Sequence, residues 1–245
     1  MAKLFADTSK VSELKKLLEL GIFQGVTTNP LIVASEAGDS DPKIYFEKLV
    51  KEFPDLPISI QLLDESVETL LEQARMYASI ASNVFIKVPM FSDGRGIRLL
   101  TILTGEGIKV NVTGMMTAEQ ILLTLMSKPS YVSLFFNRIR DGGGNPQKEI
   151  ENARNLIEKL GSDAEIIVGS IRKPDDVREA MMAGGHIITV TPKVFWEMVA
   201  HPKSDEFIRQ SQEAWENLLK ATPKTNGEVR LKAVHKSSVP RQKTV

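Results

Sequence analysis

Cysteine is absent from this chain of 245 residues, so disulfide staples and thiolate catalysis are excluded. Histidine is scarce: His186, His201 and His235 show no metal-ligand spacing, and a zinc-dependent chemistry is not expected. Net charge is also absent. With 31 Lys and Arg against 31 Asp and Glu, there is no electrostatic case for nucleic acid or an acidic membrane as the main partner. Any anion must be met by local groups. No apolar run approaches the roughly 20 residues that a membrane-spanning helix needs. The first residues, Met1 to Asp7, lead directly into an apolar strand, without the charged and then apolar stretch of a secretion signal. A cytoplasmic protein is expected.

What is present is a regular alternation of short apolar runs with longer segments of helical period. Strands are expected at 3–6, 25–28, 58–62, 84–88, 109–112, 131–136, 165–169 and 187–190, each followed by a helix. Thr117-Ala118-Glu119-Gln120 has the spacing of a capping box, and Asn145-Pro146 puts a capping residue before a first-turn proline. Eight strand-helix units in a chain of this length fit a closed (β/α)8 barrel better than an open doubly wound sheet. Asp141-Gly142-Gly143-Gly144 lacks the spacing of a phosphate or dinucleotide loop and reads as a connection. Two further helices are expected at 192–198 and 204–221, the second with Phe207, Ile208, Trp215, Leu218 and Leu219 as an apolar stripe. The barrel and this C-terminal helix are read as one domain, 1–221. Residues 222–245, with six Lys or Arg against Glu228, are read as a flexible basic tail.

The functional signal begins with Lys87, set in the otherwise apolar run Val84-Phe85-Ile86-Lys87-Val88 and stopped by Pro89. A lysine at the end of a strand can snorkel to solvent. If it is buried instead, desolvation disfavours the ammonium form and makes the amine a nucleophile near neutral pH, which is the requirement for a Schiff base with a ketone. In a parallel barrel the active site lies at the carboxyl ends of the strands, so polar residues there carry meaning. The expected strand ends bring Asp7, then Thr27, Thr28 and Asn29, then Gln61, Lys87, Asn111 with Thr113, Arg138, and Ser170 with Arg172. The period of two puts Asn111 and Thr113 on one side, as it does Ser170 and Arg172.

At these positions the chain resembles the compact transaldolase family, which includes the small fructose-6-phosphate aldolases. The likeness rests on Phe5-Ala6-Asp7-Thr8, Gly25-Val26-Thr27-Thr28-Asn29-Pro30, Phe85-Ile86-Lys87-Val88-Pro89, Asn111-Val112-Thr113, Asn137-Arg138-Ile139 and Gly169-Ser170-Ile171-Arg172. The resemblance implies a (β/α)8 barrel, phosphosugar substrates, no cofactor, and ring-like homo-oligomers, a pentamer or decamer, in which the C-terminal helix packs on a neighbour. It also implies roles. Lys87 forms the Schiff base, Asp7 takes the proton of the C4 hydroxyl, and Gln61 and Thr113 hold the water exchanged during imine formation. Asn29 and Asn111 bond the hydroxyls of the retained three-carbon unit, next to Thr27. Arg138, Ser170 and Arg172 clamp the distal phosphate, for which guanidinium groups are suited.

Two positions point to different branches of that family. Phe135 resembles the transferase members, since it has no proton to give the enamine, whereas aldolase members carry tyrosine there. Gln61 resembles the aldolase members, because transferases usually carry glutamate. Phe135 bears on the step that separates the two outcomes, so transaldolase is the expected activity and free dihydroxyacetone release the alternative. A Ser-Arg-Arg site does not by itself distinguish a phosphate from a sulfonate, which leaves a sulfonated ketose open. An inactive barrel retained for assembly would lack this full set of chemical residues, and a pyridoxal-phosphate barrel finds no support in the motifs.

Overall fold

The structure, a computed structural model, describes residues 2–64 and 66–221. The described residues fall into two compact units that divide between Met198 and Val199. The first contains β1 (Lys3–Asp7), α1 (Val11–Leu18), β2 (Phe23–Thr27), α2 (Pro30–Glu36), α3 (Pro42–Glu52), β3 (Ile58–Gln61), α4 (Val67–Ala78), β4 (Val84–Pro89), α5 (Arg95–Gly105), β5 (Val110–Met115), α6 (Ala118–Leu125), β6 (Tyr131–Phe135), α7 (Phe136–Asp141), α8 (Pro146–Leu160), β7 (Glu165–Gly169), α9 (Pro174–Met182), β8 (Ile187–Val190) and nearly all of α10 (Pro192–Val199). All eight strands are parallel and follow one another in chain order, and β1 pairs with β8 to close the barrel. This is the expected (β/α)8 architecture.

The period of two divides the side chains of each strand between two environments. Outward residues such as Ala6, Val26, Ile58, Ile60, Ile86, Val88, Val112 and Val168 form the main core with the helices, where Leu14, Leu70, Leu99 and Ile150 pack on them. Inward residues make a smaller cluster of Phe5, Tyr131, Ile167 and Ile187 with Phe85 against it. The Phe85 ring stacks on Tyr131, and Phe5 meets Tyr131 edge-on. These apolar residues sit early in their strands, and the polar inward residues follow one or two positions of the same parity later. The barrel interior is therefore dry at its amino end and polar at its carboxyl end.

Helix starts follow local chemistry. Asn29 accepts a hydrogen bond from the Ile32 amide and Pro30 opens α2; Asp41 and Pro42 do the same for α3. The expected capping box of Thr117 and Gln120 is present, as is the Asn145 cap on α8. Several expected bounds shift. β2 begins two residues earlier, at Phe23, and two helices rather than one follow it. β5 runs on to Met115 through Gly114, whose φ of 74° suits glycine. β6 stops at Phe135, and Phe136 already belongs to α7. Arg138 therefore lies on a short helix after the sixth strand, not on the strand itself.

In the second unit α11 (Pro202–Ala221) carries the expected apolar stripe and an Arg209–Glu213 pair of 2.9 Å on successive turns. The expected tail, 222–245, lies outside the described residues. No helix among the described residues is long and apolar enough to cross a membrane.

Gly25 is a tight point of the barrel wall, since a Cβ there would fall 2.4 Å from the tip of the Phe5 ring. Phe5 is rigid and fully packed, so Gly25→Ala is expected to cost about 1–3 kcal/mol through overpacking. Denaturant unfolding would measure it; an unchanged midpoint would mean that the ring gives way freely.

Candidate active site

Lys87 is the inward residue of β4 between two outward core positions, Ile86 and Val88, and is 5% exposed. Its amine does not snorkel. Nζ donates to the Thr28 carbonyl at 2.8 Å. Burial brings its pKa down to about 8, with the nearby Asp7 charge pulling the other way. At pH 7.5 about a quarter of such amines are neutral, against about one in a thousand for an ordinary lysine.

Asp7 closes β1 on the same interior face. Burial raises its carboxyl pKa above the ordinary value; the Lys87 charge and the Thr27 hydroxyl oppose that shift, and the Glu36 charge adds to it. Thr27 Oγ1 donates to Asp7 Oδ1 at 2.8 Å and lies 2.5 Å from Thr189 Oγ1. An ionised carboxylate only accepts, so Thr27 gives its proton to Asp7 and receives one from Thr189. Glu36 is itself fixed by Thr8 Oγ1 at 2.9 Å and by the amide and hydroxyl of Ser9 at 2.7 and 2.6 Å. These bonds anchor α2 to the segment that follows Asp7.

Asn111 is fully buried on β5 with both ends of its amide held. Ser133 Oγ donates to Oδ1 at 2.6 Å, and Nδ2 donates to Ser59 Oγ at 3.2 Å. One N–H and one lone pair remain for a further partner. Gln61 is level with Lys87 in the ladder, and Lys87 with Asn111. Thr113 Oγ1 is buried and makes no hydrogen bond within the described residues.

On the β6–β7 side the groups are more open. Arg138 stacks over the half-buried Phe135 ring with its guanidinium carbon 6.0 Å from the centroid. Ser170 has φ 57°, a left-handed conformation uncommon for serine, and its carbonyl is held by the Asn137 amide at 3.2 Å and Asn137 Nδ2 at 2.9 Å. Asp176, fully buried, accepts from Asn137 at 2.6 Å, Arg140 at 2.9 Å and the Arg172 and Lys173 amides at 3.0 and 3.2 Å. Burial pushes its pKa up, but these bonds outweigh it and hold the carboxylate below the ordinary range. The side chain of Arg172 is occupied: its two terminal nitrogens grip Asp141 at 3.0 and 2.5 Å.

Asp7, Thr27, Gln61, Lys87, Asn111 and Thr113 thus share the inner face at the carboxyl end. Arg138, Ser170 and Arg172 stand after the sixth and seventh strands. Asn29 spends its carbonyl oxygen capping α2, leaving its NH2 group. Sequence reasoning missed Ser59, Ser133, Thr189, Glu36 and Asp176. For the first three a signal existed, a small hydroxyl at an inward position two residues from another inward residue; Asp176 had the local signal of an acidic residue in the first turn of α9, while its bond to Asn137 spans 39 residues and those of Glu36 span 27 and 28. A cavity of about 770 Å³ lies near the opposite, amino end, lined by Phe85, Lys109, Lys128, Tyr131 and Glu165, away from these groups.

Competitive reductive methylation of Lys87 across pH is expected to show a midpoint near 8. A midpoint at the ordinary value of lysine would show that the amine is hydrated and not buried.

The Transaldolase/Fructose-6-phosphate aldolase family model matches residues 4–237. The chain is 35% identical over 216 residues to the probable transaldolase of Lactiplantibacillus plantarum, covering 87% of this chain and 96% of that protein. It is 37% identical over 217 residues to probable transaldolase 2 of Listeria monocytogenes, with coverage of 87% and 96%. A probable transaldolase of Clostridium botulinum is 36% identical over 221 residues, 89% of this chain and all of that protein. By this match along nearly its whole length, the chain belongs to the transaldolase/fructose-6-phosphate aldolase family.

Proposed function

We propose that the protein is a cytoplasmic transaldolase that moves a dihydroxyacetone unit between phosphosugars through a Schiff base on Lys87. The observation that carries this reading is the buried amine itself, at the carboxyl end of a barrel strand with its pKa lowered to about 8 and a carboxylate nearby. The donor is sedoheptulose 7-phosphate or fructose 6-phosphate, and the acceptor is glyceraldehyde 3-phosphate or erythrose 4-phosphate.

In this mechanism the neutral Lys87 amine attacks the ketone carbon C2, and loss of water leaves an iminium ion. Thr113, whose buried hydroxyl has no partner among the described residues, and Gln61 hold that water. Asp7 accepts the C4 hydroxyl proton as the C3–C4 bond breaks. The bonding electrons pass to the iminium, which becomes an enamine, and the first aldose phosphate leaves. A base with a raised pKa is suited to taking this proton and returning it later. The enamine then adds to the acceptor aldehyde, Asp7 gives the proton back, and water releases the product from Lys87. Asn111, pre-set by Ser59 and Ser133, and Asn29 bond the hydroxyls of the three-carbon unit. Arg138 on α7 and Ser170 and Arg172 on the turn after β7 receive the distal phosphate; Asp176 holds that turn through the Arg172 and Lys173 amides.

Phe135 supports transfer over release, because its ring has no proton for the enamine carbon, and the names of the relatives agree. Gln61 supports the second reading, an aldolase that frees dihydroxyacetone; a sulfonated ketose would keep the same chemistry with a different anion.

Fructose 6-phosphate without acceptor is expected to release glyceraldehyde 3-phosphate in a burst of about one equivalent that resumes only when erythrose 4-phosphate is added. Continuous release would make the protein an aldolase. Phe135→Tyr should raise dihydroxyacetone release, and no change would remove Phe135 from the branch-setting role. Arg172→Ala should raise KM for phosphorylated ketoses about tenfold or more while sparing unphosphorylated ones, as loss of charge-assisted bonds to the anion requires. An equal loss on both would argue against a clamp.

A further inference from the structure

Both terminal nitrogens of Arg172 are taken by a single carboxylate, that of Asp141. Nη1 donates to Asp141 Oδ1 at 3.0 Å and Nη2 to Oδ2 at 2.5 Å, the paired end-on geometry that a phosphate would also use. The pair is open to water, with 55% of the Arg172 side chain and 53% of the Asp141 side chain exposed, so it is cheap to exchange. The other charges nearby are differently committed. Arg140 is held by Asp176 and Glu179 at 2.9 Å each, and Arg138 lies over Phe135. Asp141 is the last residue of α7 and its side chain is half exposed, so a change of rotamer is enough to take the carboxylate away from Arg172.

We propose that Asp141 is an internal competitor for the anion of the substrate: it occupies Arg172 in the free enzyme, and an incoming phosphate must displace it, so Asp141 sets the affinity for phosphorylated substrates. This rests on the clamp role given to Arg172 above. The neighbouring charges keep Asp141 ionised and able to compete. Its hydrogen bonds with Arg172 come first, and the charges of Arg172, Arg138 and Arg140 add to them, holding its pKa below the ordinary value; Asp176, which accepts from the Arg172 amide, also acts on the Arg172 charge. A displaced Asp141 still repels the bound anion, and it repels a dianion about twice as strongly as a monoanion.

The test is calorimetric binding of inorganic phosphate and of methanesulfonate to the full chain at about pH 8, where phosphate is mainly the dianion. Asp141→Asn keeps the size of the side chain and removes its charge. It is expected to tighten phosphate binding about threefold to tenfold, from loss of an exposed ion pair and relief of repulsion, with a smaller gain for methanesulfonate. Arg172→Ala should weaken phosphate binding, and Asp141→Asn should tighten it less in that background than in the native chain, because only the repulsion is then relieved. Phosphate affinity that is unchanged or weaker in Asp141→Asn, while Arg172→Ala still loses it, would overturn the proposal and make Asp141 a support that holds Arg172 in place. Phosphate binding that survives Arg172→Ala would instead remove the clamp, and the competition with it. Since this readout is binding, it separates both failures from any error about the reaction catalysed.

Discussion

Taking the Lys87 ammonium out of water is the constraint on which the rest of the site depends. A charge buried at the carboxyl end of a strand is tolerable only if a carbonyl, a nearby carboxylate or loss of its proton offsets the desolvation. All three are present: the Thr28 carbonyl at 2.8 Å, Asp7, and a pKa brought down to about 8. Asp7 pays the reciprocal cost, its own pKa raised by burial and only partly restored by Lys87 and Thr27. The two groups are thereby moved from opposite sides toward neutral pH, where a nucleophilic amine and a proton-accepting carboxylate are both available.

The closed parallel ladder is what makes this arrangement possible. Because alternate residues face inward on every strand, a chemical site can be assembled from one residue per strand without interrupting the outer core of Ile86, Val88, Val112 and Val168. The interior divides along its length. Phe5, Tyr131, Ile167 and Ile187 close the amino end with aromatic and branched side chains, and hydroxyls and amides fill the carboxyl end. Buried polar residues there hold one another before any ligand arrives, as in Ser133–Asn111–Ser59 and Thr189–Thr27–Asp7. Such pre-set partners fix geometry at no cost during the reaction.

Much of this was legible in the sequence because period-two and period-3.6 patterns are local. The strands, the Thr117 and Asn145 caps, and the strand-end positions of Asp7, Gln61, Lys87 and Asn111 all follow from neighbours within a few residues. What was not legible depends on distant parts of the chain. Two exceptions are local: the second helix after β2 starts at an Asp41–Pro42 cap, and α7 starts at Phe136, directly where β6 ends. Arg172 reads as a free cation until Asp141, 31 residues earlier, is seen on its guanidinium. Thr189 looks like an ordinary β-branched strand residue until β8 closes against β1 beside Thr27, 162 residues away. Glu36 and Asp176 resemble surface carboxylates, yet Glu36 takes one amide and two hydroxyls, and Asp176 two amides, from turns beside the site.

The most direct test is borohydride reduction of the protein in the presence of fructose 6-phosphate, followed by intact mass and peptide mapping. The account predicts one reduced sugar adduct per chain, located on Lys87 and absent from a folded Lys87→Met variant. An adduct on another lysine, or turnover of the sugar with no reducible intermediate, would contradict it.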